Sequence, residues 1–540
     1  MDQGLKTDFV SKEDLLHDED NKIIGEISSD IDKNIQLIET LFKDCADIIR
    51  RDIEVPTDKP FRIYGVYTDG LVNRDILESY LLTRVMDSKN LGGKVKEKDQ
   101  TPTQIVMQHF SATFDVKEND KMDDVVKAVL SGDSVVFVEG TNKALIIATR
   151  GWPGRSVSEP ATESVVRGPR EGFTETIRFN TVLVRRRIRD TKLKFKAISY
   201  GTRSRTDVVI AYIEDIARPE LVQEVEERLN KYVIDAVLDS GYIEQLIEDS
   251  WKSPFPQTQA TERPDKFAAS LLEGKVGILV DTSPFGIIVP TTLNAFYQAS
   301  EDYYQRWQIM SFTRILRYLV SFISFMLPGL YVAILNFHPD VLPTPFAISI
   351  AASREGITFS TVTEIIVAEI VFELFREAGI RAPGAIGHVV SLVGGLVIGQ
   401  AAVDAKIISP MILIVVAFTA ICTFAIPDYS LTSAFRLLRY LFIAFCAAFG
   451  LYGFAIAVLI VMAHLSSLES FKMPYLAPYN ISDQNGSRDL KDTLFRFPTF
   501  LQTTRPIFAR RTQRTRLRLK DKETAQDVVP GADKKNEEDQ

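Results

Sequence analysis

Residues 318–337 read YLVSFISFMLPGLYVAILNF, 20 positions in a row without Asp, Glu, Lys or Arg. A helix rises 1.5 Å per residue, so about 20 apolar residues cross a hydrocarbon core of ~30 Å. Helices of water-soluble cores are shorter and keep a polar face, so this stretch predicts a membrane span. Three more stretches free of those four residue types follow, at 384–403, 407–427 and 440–463. They define an α-helical, multi-span membrane domain over 311–465.

A fifth segment breaks the pattern. Residues 346–375 read FAISIAASREGITFSTVTEIIVAEIVFELF, with Glu364, Glu369 and Glu373 among Ile, Val, Phe and Leu. On insertion scales an acidic side chain costs roughly 2.5–3.5 kcal/mol at a bilayer centre, which argues against lipid contact for all three. At 100° per residue, Thr358, Val362, Glu369 and Glu373 share one helical face, while Glu364 points elsewhere. That stripe predicts a water-filled path or a protein interface, with the four residues as pore-lining candidates. An interfacial helix with its carboxylates among headgroups remains the alternative. On the span at 384–403, Gly387, Ser391, Gly395 and Gly399 recur every four residues, a spacing that lets a second helix approach closely.

Outside this block the chain of 540 residues divides by composition. The net charge of −8 conceals an acidic start and a tail in which 505–520 holds seven basic residues and no acid. Residues 1–55 predict an acidic helical arm, with Ile27, Ile31, Ile35, Ile38, Leu41 and Phe42 at helical spacing. Residues 56–252 predict a two-lobed soluble α/β domain. FRIYGVYT starts a strand–helix unit, SVVFVEG and KALIIATR a hairpin, and LKFKAISYG and TDVVIAYIED two further strands. A helix then starts at Pro219, favourable at a first helical position. Residues 253–310 predict a juxtamembrane bridge, and 466–540 a basic, partly disordered tail. No secretory signal is evident near Met1, so the soluble domain is expected in the cytoplasm. Cys45, Cys422 and Cys446 are the only cysteines, and no disulfide or metal cluster is expected.

Between the lobes, EPATESVVRGPREGFTET (159–176) concentrates glycine, proline and charge. Arg167, Arg170 and Glu171 are regulatory-loop candidates there, and pairing of the arginines with local acids is the simpler reading. There is no GxxxxGK[ST], no GxGxxG after a strand, no HExxH and no GxSxG, so neither a nucleotide site nor an enzyme is expected. No cofactor and no nucleic-acid partner follow from the residues.

The strings ESVVRGPREGFTE, SYGTRSRTDVVIAYIEDIA, PFPQTQATERPDKFAASLLEGKVGILVD, EDYYQR, AASREG and HVVSLVGGLVIGQAAVDAKIISP resemble the A subunit of GerA-type spore germinant receptors. The resemblance covers residues 60–470 and leaves out the acidic start and basic tail. It implies a multi-pass subunit of the inner membrane of a dormant bacterial spore, with a two-lobed cytoplasmic domain. It also implies a transporter-like B subunit that binds the nutrient, a lipoprotein C subunit, and a homo-oligomeric ring, pentameric in the family, forming a nutrient-gated ion channel. A paralogous branch acts in germination without recognising nutrients. A secondary transporter and a non-conducting scaffold remain alternatives, although no internal repeat of the transporter kind is visible.

Topology divides the charges. Four spans with a re-entrant 346–375 leave both termini inside, together with the basic tail, as the positive-inside tendency prefers. Five spans put that tail outside.

Overall fold

Two five-stranded sheets, each backed by helices, form from residues on either side of the 159–176 loop. The computed structural model describes residues 23–55, 60–73, 107, 115–151, 158–381, 397–480 and 489–517. It divides into two units. The first takes the chain up to 247 with 260–290 and 505–516, and the second takes 248–259 and 291–504 with the chain beyond 517.

In the first lobe of unit one, α1 (Ile31–Leu41) starts at Asp30, whose carboxylate accepts from the Asp32 N–H, and buries Ile31, Ile38 and Leu41. Strands β1 (Ile48–Val55), β2 (Phe61–Thr68), β3 (Val116–Asn119), β4 (Ser134–Val138) and β5 (Ala144–Ile147) follow, with α2 (Met122–Leu130) after β3. Their order is β1-β2-β4-β5-β3, antiparallel throughout. β4, SVVFV, is buried at every position, as a central strand covered on both faces requires.

The second lobe comprises α3 (Ile177–Arg185), β6 (Leu193–Tyr200), β7 (Thr206–Ile213), α4 (Pro219–Asn230), α5 (Ser240–Ile247), β8 (Gln259–Thr261), α6 (Pro264–Leu272), β9 (Val276–Val280) and β10 (Gly286–Val289). Its strand order is β6-β7-β9-β10-β8. A fully buried ion pair joins the lobes: Arg185 donates to both carboxylate oxygens of Asp47 at 2.7 and 2.9 Å. The same guanidinium donates to the carbonyls of Asp190 and Leu193.

Two stretches from outside the expected soluble domain join the second lobe. The apolar run in the 253–310 bridge supplies β9 and β10, because VGILV and GIIV pair in register and are buried throughout. The basic tail also returns to the second lobe over 505–516. There Ala509 is fully buried, Arg510 N–H donates to the Ile216 carbonyl, and Arg510 Nε donates to that of Ala217. Gly274 (φ +91°) makes the return possible, since a Cβ there would meet Ala509 Cα at 2.6 Å.

Unit two is helical: α7 (Trp307–Phe337), α8 (Thr344–Ser353), α9 (Thr361–Arg381), helical residues 397–404, α10 (Pro410–Phe424) and α11 (Tyr429–Ser467). Among the described residues, α7 and α11 are long and apolar enough to cross a membrane. α11 is not one rod. Gly450 has φ 60° and ψ −137°, and the Phe442 and Phe454 rings lie 5.7 Å apart. Twelve residues along a straight helix would separate them by about 18 Å. Phe255 likewise sits 6.3 Å from Phe435 and 6.0 Å from the His464 ring. The chain therefore reverses at Gly450 into two antiparallel arms, 429–449 and 451–467, and the expected span at 440–463 straddles the turn. Phe337, at the end of α7, packs on that turn, where a Cβ on Gly450 would meet its Cβ at 2.9 Å.

Candidate functional site

The expected Glu-bearing segment is two helices. Residues 354–360 separate α8 from α9, with Gly356 at φ +82° in the turn. Thr358 lies exposed in that connection, so it does not share a helical face with the other three candidates. Val362 is half-buried in the first turn of α9, packed on a cluster that includes Val332, Ile365 and Ile412.

Each carboxylate of α9 meets an arginine. Glu364, 1% exposed, takes Arg354 Nη2 on one oxygen and the Ser409 N–H on the other, both at 2.9 Å. Ser409 is the N-cap of α10, so this carboxylate also faces the positive end of that helix. Glu369, 3% exposed, binds Arg439 on the first arm of α11, and Arg439 Nε donates to the Ser324 carbonyl of α7 at 2.9 Å. Glu373 is bracketed, with Arg436 Nη1 2.6 Å from one oxygen and Arg376 3.5 Å from the other.

Burying a charge is tolerable only with a partner, and removing one partner of such a pair typically costs about 3–5 kcal/mol. These pairs therefore fix α9 against α7, α10 and α11, and within one protomer the carboxylates are neutralised rather than presented as free groups. The arginines were the missed residues. Their available signal was the spacing of Arg436 and Arg439, one helical turn apart beside an apolar stretch, matching Glu369 and Glu373 on another.

In unit one the 159–176 loop is held to α6 and β8. Glu163 accepts from Lys266 at 2.7 Å and from the Glu262 N–H at 3.1 Å. The buried Arg263 donates to the Glu163 and Pro169 carbonyls and to Asp265. Glu171 takes Arg186 at 3.0 Å and Arg187 at 2.8 Å. Partial burial works against its charge, yet the two guanidiniums hold its carboxyl below the usual carboxylate range. Arg167 and Arg170 are exposed, with Arg170 3.9 Å from Glu159. Of the close-packing candidates, Gly387, Ser391 and Gly395 lie outside the described residues. Gly399 faces α10, and a Cβ there would meet Leu413 at 3.5 Å, an ordinary contact.

The family model described as "Bacillus/Clostridium GerA spore germination protein" matches residues 36–508. Spore germination protein KA of Bacillus subtilis is 38% identical over 480 residues, covering 89% of this chain and 87% of its own length. Spore germination protein GerLA of Bacillus cereus is 39% identical over 443 residues, 82% of this chain and 88% of its own. YfkQ of Bacillus subtilis, an uncharacterized membrane protein, is 38% identical over 480 residues, 89% of this chain and 91% of its own. Among solved structures, the N-terminal domain of the A subunit of the Bacillus megaterium spore germinant receptor GerK3 is 31% identical. It covers 49% of this chain and 97% of that one, with a TM-score of 0.39.

Proposed function

The chain belongs to the GerA family of spore germination proteins, and from that premise we propose that it is the A-type subunit of a nutrient germinant receptor in bacterial spores. In this reading it lies in the spore inner membrane, with unit one in the cytoplasm, and works with a transporter-like B subunit and a lipoprotein C subunit. Copies assemble into a ring that forms a nutrient-gated cation channel.

The observation that carries the reading is α9, a helix of membrane length with three buried or half-buried carboxylates, each bound to an arginine of another segment or turn. Charged groups inside an apolar bundle mark ion pathways and moving elements. Repeated around a ring, Val362 supplies an apolar constriction and Glu369 and Glu373 the charge behind it, released to ions as the arginine pairs rearrange. Arg167, Arg170 and Glu171 serve as the regulatory contacts of unit one, and the glycine-lined groove at Gly387, Ser391, Gly395 and Gly399 as a helix-packing surface. The return of 505–516 to the lobe that precedes α7 supports an even number of crossings, and hence both ends on one side.

A second reading, a non-conducting scaffold, is favoured by the pairing of the carboxylates within one protomer. Potassium release from spores at matched protein levels separates the two. Val362→Ala or Val362→Ser is expected to release potassium without nutrient, and Glu369→Gln to lower conductance. If neither substitution changes flux while protein levels hold, the channel reading fails and the scaffold stands.

A further inference from the structure

Between α9, residues 397–404 and α10 lies a cavity of about 660 Å³, within the size range of small-ligand sites. Its walls include Val371, Phe375, Ile398, Leu413 and Phe424, and Arg376 is the one charged residue among the described residues that line it. Arg376 is not saturated. Its Nε is buried without a hydrogen-bond partner, and the same holds for Arg436 Nε, Arg439 Nη2 and Glu369 Oε1. Arg376 and Arg436 share the single carboxylate of Glu373, while Arg439 takes Glu369. Three guanidiniums thus face two carboxylates, leaving one positive charge in excess and N–H groups unused. Buried polar groups are normally satisfied, so the unpartnered N–H groups of Arg376 and Arg436 signal an absent acceptor, while Arg439 Nη2 and Glu369 Oε1 belong to one ion pair.

An apolar cavity with Arg376 on its wall, and Arg436 on the far side of the Glu373 that both share, suits a molecule with an apolar tail and an anionic head. Guanidinium forks match phosphate oxygens in geometry as well as charge. Basic pockets between membrane helices are also a recurring form of lipid headgroup site. We propose that this cavity holds an acyl chain of an anionic membrane phospholipid, whose phosphate is bound by Arg376 together with Arg436. The bound lipid would tie α9 to α10 and to the first arm of α11 at the carboxylate pairs. The inference rests on the membrane placement proposed above, and not on conduction.

Native mass spectrometry of the full chain in mild detergent, offered phosphatidylglycerol or phosphatidylcholine with identical acyl chains, tests it. The expected result is retention of phosphatidylglycerol in at least tenfold excess. Arg376→Gln should bring that ratio close to one, with oligomer size and helix content unchanged. Ala417→Phe, which fills the cavity and leaves every charge in place, should lose both lipids, and it decides the matter if Arg376→Gln does not fold. Equal retention of the two lipids by the wild-type chain overturns the site, as does an unchanged ratio in Arg376→Gln. Displacement by glycerol phosphate as effective as by the lipid would show a small-anion site and overturn the acyl-chain assignment. Cross-linking between copies through Ile398, with no lipid retained, would show a second copy in the cavity and overturn it too. Protein recovered without detergent would instead overturn the membrane placement itself.

Discussion

Glu369 is 3% exposed in an apolar helix, and Arg439, equally buried, is its partner there. Replacing Glu369 by Gln leaves a guanidinium uncompensated, so a loss of about 3–5 kcal/mol is expected, read as a fall in the detergent-solubilised Tm and in membrane protein level. The exchange Glu369→Arg with Arg439→Glu should recover part of that loss, whereas a pore-only role for Glu369 predicts no recovery. At the surface, Glu171 gives a prediction in pH. Its carboxyl is held below the usual range by Arg186 and Arg187, so its stabilisation is present above the unfolded value of about 4.3 and lost as pH falls through the depressed folded value. The Tm gap between wild type and Glu171→Gln should therefore be full at neutral pH, shrink once pH falls below about 4.3, and close only below the depressed folded value. A gap that widens in acid would contradict the assignment. From sequence, the cost of the α9 carboxylates was legible and their partners were not. Arg436 and Arg439 lie 63 and 70 positions from the acids they meet, and only tertiary packing joins them.

At the scale of elements, strands were easier to read than helix ends. The hairpin β4–β5 and the pair β6–β7 follow directly from β-branched runs bounded by turn residues. The reversal inside α11 was hidden because 440–463 is continuously apolar, and hydropathy does not register backbone direction. Gly450 and Gly453 were the local signs, and the left-handed φ of Gly450 beside Phe337 excludes any side chain. Gly450→Leu is expected to lower the amount of folded membrane protein severalfold, measured by size-exclusion recovery in detergent, while Gly65→Ala, whose Cβ would meet nothing nearer than 3.9 Å, should not. The returning strap behaves alike. Gly274→Val would push against Ala509 and free 505–516, exposing the half-buried Arg510. Trypsin should then cut there at least tenfold faster than in wild type, and an unchanged rate would show that the strap is held elsewhere.

For the whole molecule, the sequence left a choice between four spans and five, and the return of 505–516 bears on it. Residues 177–247 and 260–290 share one lobe with 505–516, which supports the proposal of an even number of crossings in between. α7 and the first arm of α11 run in the same direction, as Ser324–Arg439, Gly329–Phe442 and Phe337–Gly450 meet in increasing order along both. α9 runs against that arm, since Glu369 meets Arg439 and Glu373 meets Arg436. α10 starts beside the start of α9, at Glu364 and Ser409, so it points the same way as α9. The second arm of α11 runs back along the first. The proposed even number of crossings is open to side-specific labelling. The native cysteines are all buried, so single introduced cysteines can report the side. Tyr452→Cys, at an exposed position next to the turn, should react with a membrane-impermeant maleimide in intact cells. Thr512→Cys should react only after permeabilisation. Labelling of Thr512→Cys in intact cells would overturn the proposed cytoplasmic placement of the lobe, and protection of Tyr452→Cys until permeabilisation would overturn a crossing by the α11 arms.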